Sequence, residues 1–312
     1  MSERWTEPHW LASAHDWIEG ELARLGQQRV GEIEQPHVYP WSTVLRVPTA
    51  DGPVWFKANI DELRHEARLT TLLAARRPDC VPPLLAADLE RGWMLMADAG
   101  TRLRQLQAEE RHLGRWLDVL PLYAGVQLDL GADVGELLAL GVPDARLATL
   151  PEGYERLVAE AGVERRFRDA VPYVTELCEE LAAYGIPETI QHDDLHDGQV
   201  FVRDGRYLLL DWGDACVSHP FCTLSVTLEG VLAWGLDDRE RGRHGTVPRR
   251  LPRAVGGALR RRSRRGQQAR AAARVGGPRG QRARCRRRPG EDACAPADVP
   301  RRPRRLEELR PA

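Results

Sequence analysis

The sequence predicts an α+β fold in two lobes, a small antiparallel sheet that carries a helix and, after it, a mainly helical lobe. Three observations support this prediction. Two pairs of short extended segments, each around a turn sequence, lie before residue 98. Helical periodicity dominates residues 101–184, and the composition changes abruptly at residue 239. We therefore divide the chain into a first lobe at 1–98, a second lobe at 99–238 and a tail at 239–312.

The first lobe begins with a predicted amphipathic helix. Thr6-Glu7-Pro8 is a helix-start sequence, and apolar residues recur at helical spacing from there to Gly26. Two predicted hairpins follow, with a second helix between them. The first hairpin pairs segment 38–47 with segment 54–60, and the second pairs 84–88 with 93–96. The helix covers 61–77.

The second lobe has helical patterns throughout its first part, broken at Gly141 and at Pro151. A polar loop at 191–199 then interrupts the helices. Two short predicted strands, a turn and an apolar helix complete the lobe. The strands are 200–202 and 207–210, the turn is Asp204-Gly205 and the helix covers 221–234.

The tail differs from the rest of the chain in charge and in aromatic content. From Arg239 onward there are 24 arginines and 6 acidic residues, a formal charge of +18 against −19 for residues 1–238. All 19 aromatic residues precede it. Such a segment has too little apolar surface to offset the entropy of an ordered chain. We expect it to be largely disordered.

Two interpretations of the tail remain open. Its arginines favour nonspecific, salt-sensitive contacts with nucleic-acid phosphates, although aromatic residues and repeats are missing from it. Alternatively, the tail is the out-of-frame translation of a gene that once continued the second lobe. A reading of residues 243–252 one base later permits Asp-Thr-Ala-Pro-Phe-Arg-Asp-Ala-Tyr-Leu, which resembles a helix start. In that case the product lacks the terminal helices of the lobe and is unstable or inactive.

Length and composition exclude several classes of protein. A chain of 312 residues with 42% apolar content can build real cores, so a wholly disordered or fibrous protein is excluded. It contains no apolar run long enough to cross a membrane, and its start does not resemble a signal peptide. The six cysteines show no Cys-x-x-Cys pair. We expect a cytoplasmic protein with reduced thiols and no membrane partner.

Two polar segments carry the chemistry that the sequence suggests. The loop His192-Asp193-Asp194-Leu195-His196-Asp197-Gly198-Gln199 concentrates carboxylates and imidazoles outside any regular element. Alone, it is also compatible with an ordinary solvated turn. The second segment, Leu208-Leu209-Leu210-Asp211-Trp212-Gly213-Asp214, delivers a carboxylate at the end of an apolar strand. Strand ends are frequent locations of binding and catalytic groups.

With these two segments the chain resembles the aminoglycoside phosphotransferase family over residues 30–235. That family has an H-G-D-L-H-x-x-N loop and a strand-end I-D-W/F-G-D segment. The resemblance implies a bilobal protein-kinase-like fold and an ATP- and Mg²⁺-dependent transfer of phosphate to a hydroxyl of a small molecule. It implies that Asp194 is the catalytic carboxylate, that His192 supports the catalytic loop, and that Asp211 binds the metal.

Two positions depart from the family pattern. Gln199 occupies the place of an asparagine that is a second metal ligand, and it can keep that role only if the loop moves back slightly, because its side chain is longer. Asp193 occupies the usual glycine position and adds a negative charge beside the catalytic carboxylate.

Lys57 is the only lysine in the chain and lies in the second strand of the first predicted hairpin. The family uses a lysine there to contact the α- and β-phosphates of ATP. Its carboxylate partner is expected from the following helix, where Glu62 and Glu66 both lie near the apolar arc. An exposed ion pair is the alternative for either glutamate. The resemblance selects Glu66.

The nucleotide has further predicted contacts in the first lobe. Ser42 and Thr43 stand where a phosphate-covering loop belongs, although no glycine-rich motif is present and Ser/Thr turns are common. Residues 96–100 correspond to the hinge that meets adenine through its backbone. Together these residues predict a small-molecule kinase. The alternatives are a noncatalytic nucleotide-binding protein and a nonspecific nucleic-acid binder acting through the tail.

Overall fold

Residues 2–234 are described by the structure, a computed structural model, which gives side chains for residues 4–228. The tail at 239–312 and the predictions made for it lie outside these residues. Helix α1 spans Pro8–Arg24 and is followed by a five-stranded antiparallel sheet with the order β1-β2-β3-β5-β4. Helix α2 (His65–Arg76) connects β3 to β4. The strands are β1 Glu34–Val38, β2 Ser42–Thr49, β3 Gly52–Asn59, β4 Leu84–Asp88 and β5 Trp93–Ala97.

One face of this sheet forms the core of the first lobe with α1. The rings of Trp17 and Phe56 lie 5.6 Å apart at a steep angle, and Trp10 meets Trp93 at 6.1 Å. Because successive residues of a strand face opposite sides, the neighbours of these core residues line the other face. Lys57 therefore points away from α1, toward the second lobe.

Mostly helical segments follow the sheet. They are α3 Leu103–Glu110, α4 Trp116–Leu130, α5 Val134–Ala139, α6 Leu150–Glu160, α7 Arg165–Arg168, α8 Val171–Ala183 and α9 Thr223–Trp234. Short strands lie between them. These are β6 Thr101–Arg102, β7 Thr189–Gln191, β8 Val200–Arg203, β9 Arg206–Leu209 and β10 Cys216–Ser218.

The core of the second lobe contains residues from α4, β7 and the β8–β9 hairpin, among them Tyr123, Ile190 and Leu209. Residues of α2 join the same cluster, so this helix contacts both lobes. The predicted two-lobed α+β fold is confirmed. Across the described part of the chain, no helix is long and apolar enough to cross a membrane.

The extended segment predicted at 38–47 is in fact two strands. Residues 39–41 form a turn between β1 and β2, closed by a hydrogen bond from the Tyr39 N–H to the Ser42 carbonyl at 2.9 Å. Pro40 has no N–H for a sheet ladder and has a restricted φ, which accounts for the interruption. Residues that favour extended backbone lie on both sides of Pro40, so the break was not predicted from the sequence.

Gly100 follows β5 and joins the sheet to the second lobe. Its φ is +84°, and a Cβ atom placed there would overlap the carbonyl oxygen of Val202 in β8. We expect Gly100→Ala to lower the free energy of unfolding by about 2 kcal/mol or more, since a left-handed conformation alone costs about 1 to 2 kcal/mol.

Denaturant unfolding checks this prediction, with Gly153→Ala as the matched control. Gly153 lies inside α6 with no atom within 4 Å of an added Cβ, so alanine there should stabilise the helix by about 0.5 to 1 kcal/mol. Equal effects at the two positions would contradict the close approach at Gly100.

Candidate active site

A cleft of about 610 Å³ lies between the sheet and the second lobe. Its polar end is lined by Ser42, Lys57, Glu66, Gln199 and Asp211. Its remaining walls are mainly apolar. They include Val44, Val81, Met96, Phe201 and Leu209. The sequence-predicted lysine and the strand-end aspartate therefore share one cleft.

Lys57 contacts two carboxylates at the polar end of the cleft. Its Nζ lies 2.8 Å from both carboxylate oxygens of Glu66 and donates to Asp211 Oδ1 at 2.6 Å. Glu62 lies in a short 3-10 turn at Asp61–Leu63 and is exposed. The structure thus brings Glu66 to Lys57 and leaves Glu62 in solvent.

Glu66 is only 2% exposed and accepts hydrogen bonds from three directions. In addition to Lys57, Asn59 Nδ2 donates to it at 2.5 Å and the Trp212 backbone N–H at 3.0 Å. Burial raises the pKa of Glu66, whereas the Lys57 ammonium opposes that shift. The surrounding N–H donors compensate the buried carboxylate and hold its orientation.

Electrostatics between the two lobes favour the charged forms of Lys57 and Asp211. Burial alone would lower the pKa of Lys57, but the carboxylates of Asp211 and Glu66 outweigh burial and raise it. The Lys57 ammonium in turn lowers the pKa of Asp211 to about 2. Both groups are therefore ionised at neutral pH.

The β8–β9 hairpin places Gln199 beside Asp211. Val200 pairs with Leu209, and the Leu210 N–H donates to the Gln199 carbonyl at 2.9 Å, so the residues that flank the hairpin meet at its open end. Gln199 Nε2 donates to Asp211 Oδ2 at 3.2 Å. Asp211 has a φ of +65°, a left-handed conformation typical of residues held by a functional site.

Asp194 is joined to Asp211 through Gln199. The Gln199 amide also donates to Asp194 Oδ2 at 2.7 Å, and His196 Nε2 lies 3.5 Å from the same oxygen. Burial would raise the pKa of Asp194, but the hydrogen bonds from His196 and Gln199 outweigh burial and lower it. Asp194 is therefore a carboxylate at neutral pH, as proton acceptance requires.

His192 is fully buried and stabilises the polar loop at 191–199 from its buried side. Its Nε2 donates to the Leu210 carbonyl at 2.8 Å, and its ring packs 4.6 Å from that of Trp212. Burial lowers the pKa of His192, so the ring is neutral. The imidazole does not line the cleft and links the polar loop at 191–199 to the segment that carries Asp211.

Asp193 has a φ of +60°, which explains why the family pattern has glycine at this position. A left-handed conformation costs a residue with a side chain about 1 to 2 kcal/mol, whereas glycine loses about 0.5 to 1 kcal/mol through chain entropy. We expect Asp193→Gly to raise the free energy of unfolding by about 0.5 to 1 kcal/mol.

Denaturant unfolding of Asp193→Gly should be compared with that of Asp169→Gly. Asp169 ends α7 with a φ of −69°, so the same substitution there brings the entropic loss without any relief of strain. A lower stability for both variants would show that the Asp193 side chain contributes more than its backbone conformation costs.

Ser42 and Thr43 have different surroundings, because adjacent strand residues face opposite sides. Ser42 lines the cleft. Thr43 is turned to the other face of the sheet, where its hydroxyl donates to the His37 carbonyl at 2.8 Å and accepts from Gln35 Nε2 at 2.9 Å. The structure therefore does not bring Thr43 to the predicted nucleotide site, and its role is to hold β2 against β1.

The predicted hinge is held from both lobes at Asp98. Trp55 Nε1 in β3 donates to Asp98 Oδ2 at 2.8 Å, and the Gly100 N–H donates to Oδ1 at 2.8 Å. Arg203 in β8 donates to the Asp98 carbonyl. Sequence reasoning missed Trp55 and Asn59, although both lie two positions from Lys57 and hence on its face of β3.

The oxygen ligands at the polar end are suitable for Mg²⁺. Asp211 provides carboxylate oxygens, the hard ligands that this ion prefers, and Asp194 lies next to it across the Gln199 amide. Within residues 2–234 there is no group of three or more His, Cys, Asp or Glu side chains able to hold a metal by themselves. Mg²⁺ usually takes one or two carboxylates together with water and substrate phosphates, so Asp211 fits such a shared site.

The two-lobed α+β fold, with a cleft between its sheet and its helical lobe, is protein-kinase-like. Residues 41–247 match the phosphotransferase enzyme family (APH), and the chain belongs to that family. At the family level it is a small-molecule phosphotransferase. The resemblance to aminoglycoside phosphotransferases predicted from the sequence is confirmed.

Several solved structures are similar to this chain at low sequence identity. Choline kinase LicA from Streptococcus pneumoniae is 16% identical with a TM-score of 0.51, covering 74% of this chain and 78% of that chain. A putative aminoglycoside phosphotransferase from Ralstonia eutropha JMP134 is 15% identical with a TM-score of 0.49, covering 73% and 77%. A type I macrolide 2′-phosphotransferase is 14% identical with a TM-score of 0.46, covering 72% and 78%. A search of curated protein sequences gives no significant match.

Proposed function

We propose that the protein transfers the γ-phosphate of ATP to a hydroxyl group of a small molecule with the help of Mg²⁺. The observation that carries this proposal is a continuous series of contacts that begins at the polar end of the cleft and leads to Asp194 beside it. Lys57 contacts Asp211, Asp211 contacts Gln199, and Gln199 contacts Asp194. A phosphate-binding cation, a metal-binding carboxylate and a proton-accepting carboxylate thereby lie next to one another, as phosphoryl transfer requires.

In this proposal Lys57 binds the α- and β-phosphate oxygens while Glu66 keeps its ammonium group in place. Lys57 is 8% exposed, so its position is set by β3 and by its carboxylate partners and not by its own flexibility. Asp211 would hold Mg²⁺. When bound, the ion neutralises charge on the β- and γ-phosphates. Ser42 lies at the same end of the cleft and is available to the phosphates.

Asp194 is proposed to accept the proton of the acceptor hydroxyl. As the acceptor oxygen forms its bond to the γ-phosphorus, the bond from that phosphorus to the β–γ bridging oxygen breaks and ADP leaves. The hydroxyl proton passes to the Asp194 carboxylate. Positioned bases of this kind accelerate a reaction by about 10² to 10⁴-fold. His192 keeps the loop in register by its bond to Leu210.

The apolar walls of the cleft are proposed to take the adenine ring. Val44, Met96 and Phe201 offer apolar contacts, and the backbone of residues 97–99 is held in place at Asp98 by both lobes. We place the boundary between the lobes at residue 98, within this hinge. The reaction is assigned to the cytoplasm, and the acceptor to a small molecule with a hydroxyl group.

Product analysis tests the proposal. The purified full-length protein is incubated with Mg²⁺ and ATP and with amino alcohols, amino sugars or macrolides, and each acceptor is examined by mass spectrometry. We expect a mass increase of one phosphate on an acceptor, with one ADP formed per product. ATP binding without any product across the panel would contradict phosphotransfer and favour the noncatalytic alternative. Nucleic-acid binding that depends on residues 239–312 would favour the third hypothesis.

A further inference from the structure

We propose that Gln199 is a positioning residue that holds Asp194 and Asp211 at a fixed separation through its amide N–H₂ group, and that it is not a metal ligand. This inference rests on the proposed function, because it concerns the same two carboxylates. It replaces the metal-binding role that the family resemblance implies for this position. The proposal follows from the contacts of the amide, from the backbone of Gln199 and from the length of its side chain.

The amide nitrogen of Gln199 is the only atom of its side chain suited to both neighbours. It donates to Asp194 Oδ2 at 2.7 Å and to Asp211 Oδ2 at 3.2 Å. Ionised carboxylates only accept hydrogen bonds, so both need a donor between them. Turning the amide to present Oε1 would replace two hydrogen bonds by contacts between oxygens and would leave two like charges without a donor between them.

The backbone of Gln199 is hydrogen-bonded on both sides, which opposes a movement of this residue away from the cleft. Its N–H donates to the His196 carbonyl at 3.0 Å, and its carbonyl accepts from the Leu210 N–H at 2.9 Å. These bonds fix the residue between the catalytic loop and the β8–β9 hairpin. From this backbone position a glutamine side chain extends one methylene group further than an asparagine side chain.

The length of glutamine is what allows one amide to reach both carboxylates. An asparagine amide would stand about 1.5 Å nearer to the backbone, one carbon–carbon bond, and would lose at least one of the two hydrogen bonds. The amide also orients Asp194, because Gln199 and His196 both approach Oδ2 and leave Oδ1 on the opposite side of the carboxylate. Gln199 thereby sets the angle at which Asp194 meets the acceptor hydroxyl.

The test compares Gln199→Met, Gln199→Asn and, as a control on the metal site, Asp211→Asn. Mn²⁺ affinity is measured by electron paramagnetic resonance with a nonhydrolysable ATP analogue, and turnover as ADP release from Mg·ATP. We expect Gln199→Met to keep Mn²⁺ affinity within about threefold and to lower turnover at least 30-fold. Gln199→Asn should not restore turnover. Asp211→Asn should weaken Mn²⁺ binding more than tenfold.

Melting of the metal-free protein adds a readout that does not depend on activity. Loss of the shared donor leaves the two carboxylates to repel each other, so Gln199→Met should melt about 2 to 4 °C lower, and 0.5 M salt should reduce the difference. This measurement also shows whether each variant is folded.

The outcomes separate this inference from the proposed function. A tenfold loss of Mn²⁺ affinity in Gln199→Met, with recovery in Gln199→Asn, would overturn the positioning role and restore the ligand role. Unchanged turnover and melting in Gln199→Met would also overturn it. Unchanged Mn²⁺ affinity in Asp211→Asn would instead refute the proposed metal site.

Discussion

Replacing Asp194 with asparagine is expected to lower phosphate transfer about 10² to 10⁴-fold while leaving ATP affinity within about threefold. Asparagine has nearly the shape of aspartate and can remain hydrogen-bonded near Gln199, but its amide cannot accept the proton of a hydroxyl group. Asp194 does not line the cleft, so the nucleotide should bind as before. Steady-state kinetics with varied ATP and a calorimetric titration with ATP measure the two quantities.

Asp204→Asn is the matched control for this prediction. Asp204 lies in the β8–β9 turn with an exposed carboxylate and a φ of +51°, a conformation that asparagine adopts readily. The control should therefore transfer phosphate at the rate of the unmodified protein. A loss of less than tenfold in Asp194→Asn would mean that another group accepts the proton, or that no proton acceptor is needed.

Replacing Lys57 with methionine is expected to lower the free energy of unfolding by about 3 to 5 kcal/mol and to abolish ATP binding. The variant keeps the length of the side chain but leaves Glu66, which is 2% exposed, without its cation. An uncompensated buried carboxylate accounts for most of the expected loss. The loss of ATP binding follows from the missing contact with the phosphates.

Denaturant unfolding and ATP titration test this prediction against Arg46→Met. Arg46 pairs with Glu34 on the neighbouring strand at 3.0 Å, but both side chains are substantially exposed, at 35% and 58%. Removing that cation should change stability by about 0.2 to 1 kcal/mol. Adding Glu66→Gln to Lys57→Met should recover stability but not ATP binding. Similar losses for the two single variants would contradict the role of the buried pair.

Much of the fold and of the cleft follows from periodicity in the sequence. Alternation along β3 places Phe56 in the core and Lys57 on the opposite face, and helical periodicity places Glu66 near the apolar side of α2. The retention of one lysine among 44 arginines marks Lys57 further. Local patterns of this kind are set by neighbours in the chain, so they are visible in the sequence alone.

Contacts between distant segments were not predictable in the same way. The choice between Glu62 and Glu66 as the partner of Lys57 depends on the short 3-10 turn at Asp61–Leu63. This turn ends before α2 and leaves Glu62 exposed. Ser42 and Thr43 were predicted to lie together at the nucleotide. The exact start of β2 decides which of these two side chains points into the cleft, and the sequence does not define that start. The bridge from Gln199 to both carboxylates depends on how the β8–β9 hairpin is aligned with the polar loop at 191–199.

A nucleotide reagent that acylates lysine tests most directly whether Lys57 lies against the phosphates of bound ATP. The protein is treated with an acyl-phosphate derivative of ATP, and the modified peptide is identified by mass spectrometry. Lys57 is the only lysine, so the other amine that the reagent can acylate is the chain's amino terminus. Peptide mapping distinguishes these two sites. Its burial and its raised pKa both disfavour reaction with free reagents, so suppression by ATP is the result that shows delivery by a bound nucleotide. We expect one adduct, on Lys57, that excess Mg·ATP suppresses; no adduct there, or an adduct that ATP leaves unchanged, would contradict the nucleotide cleft.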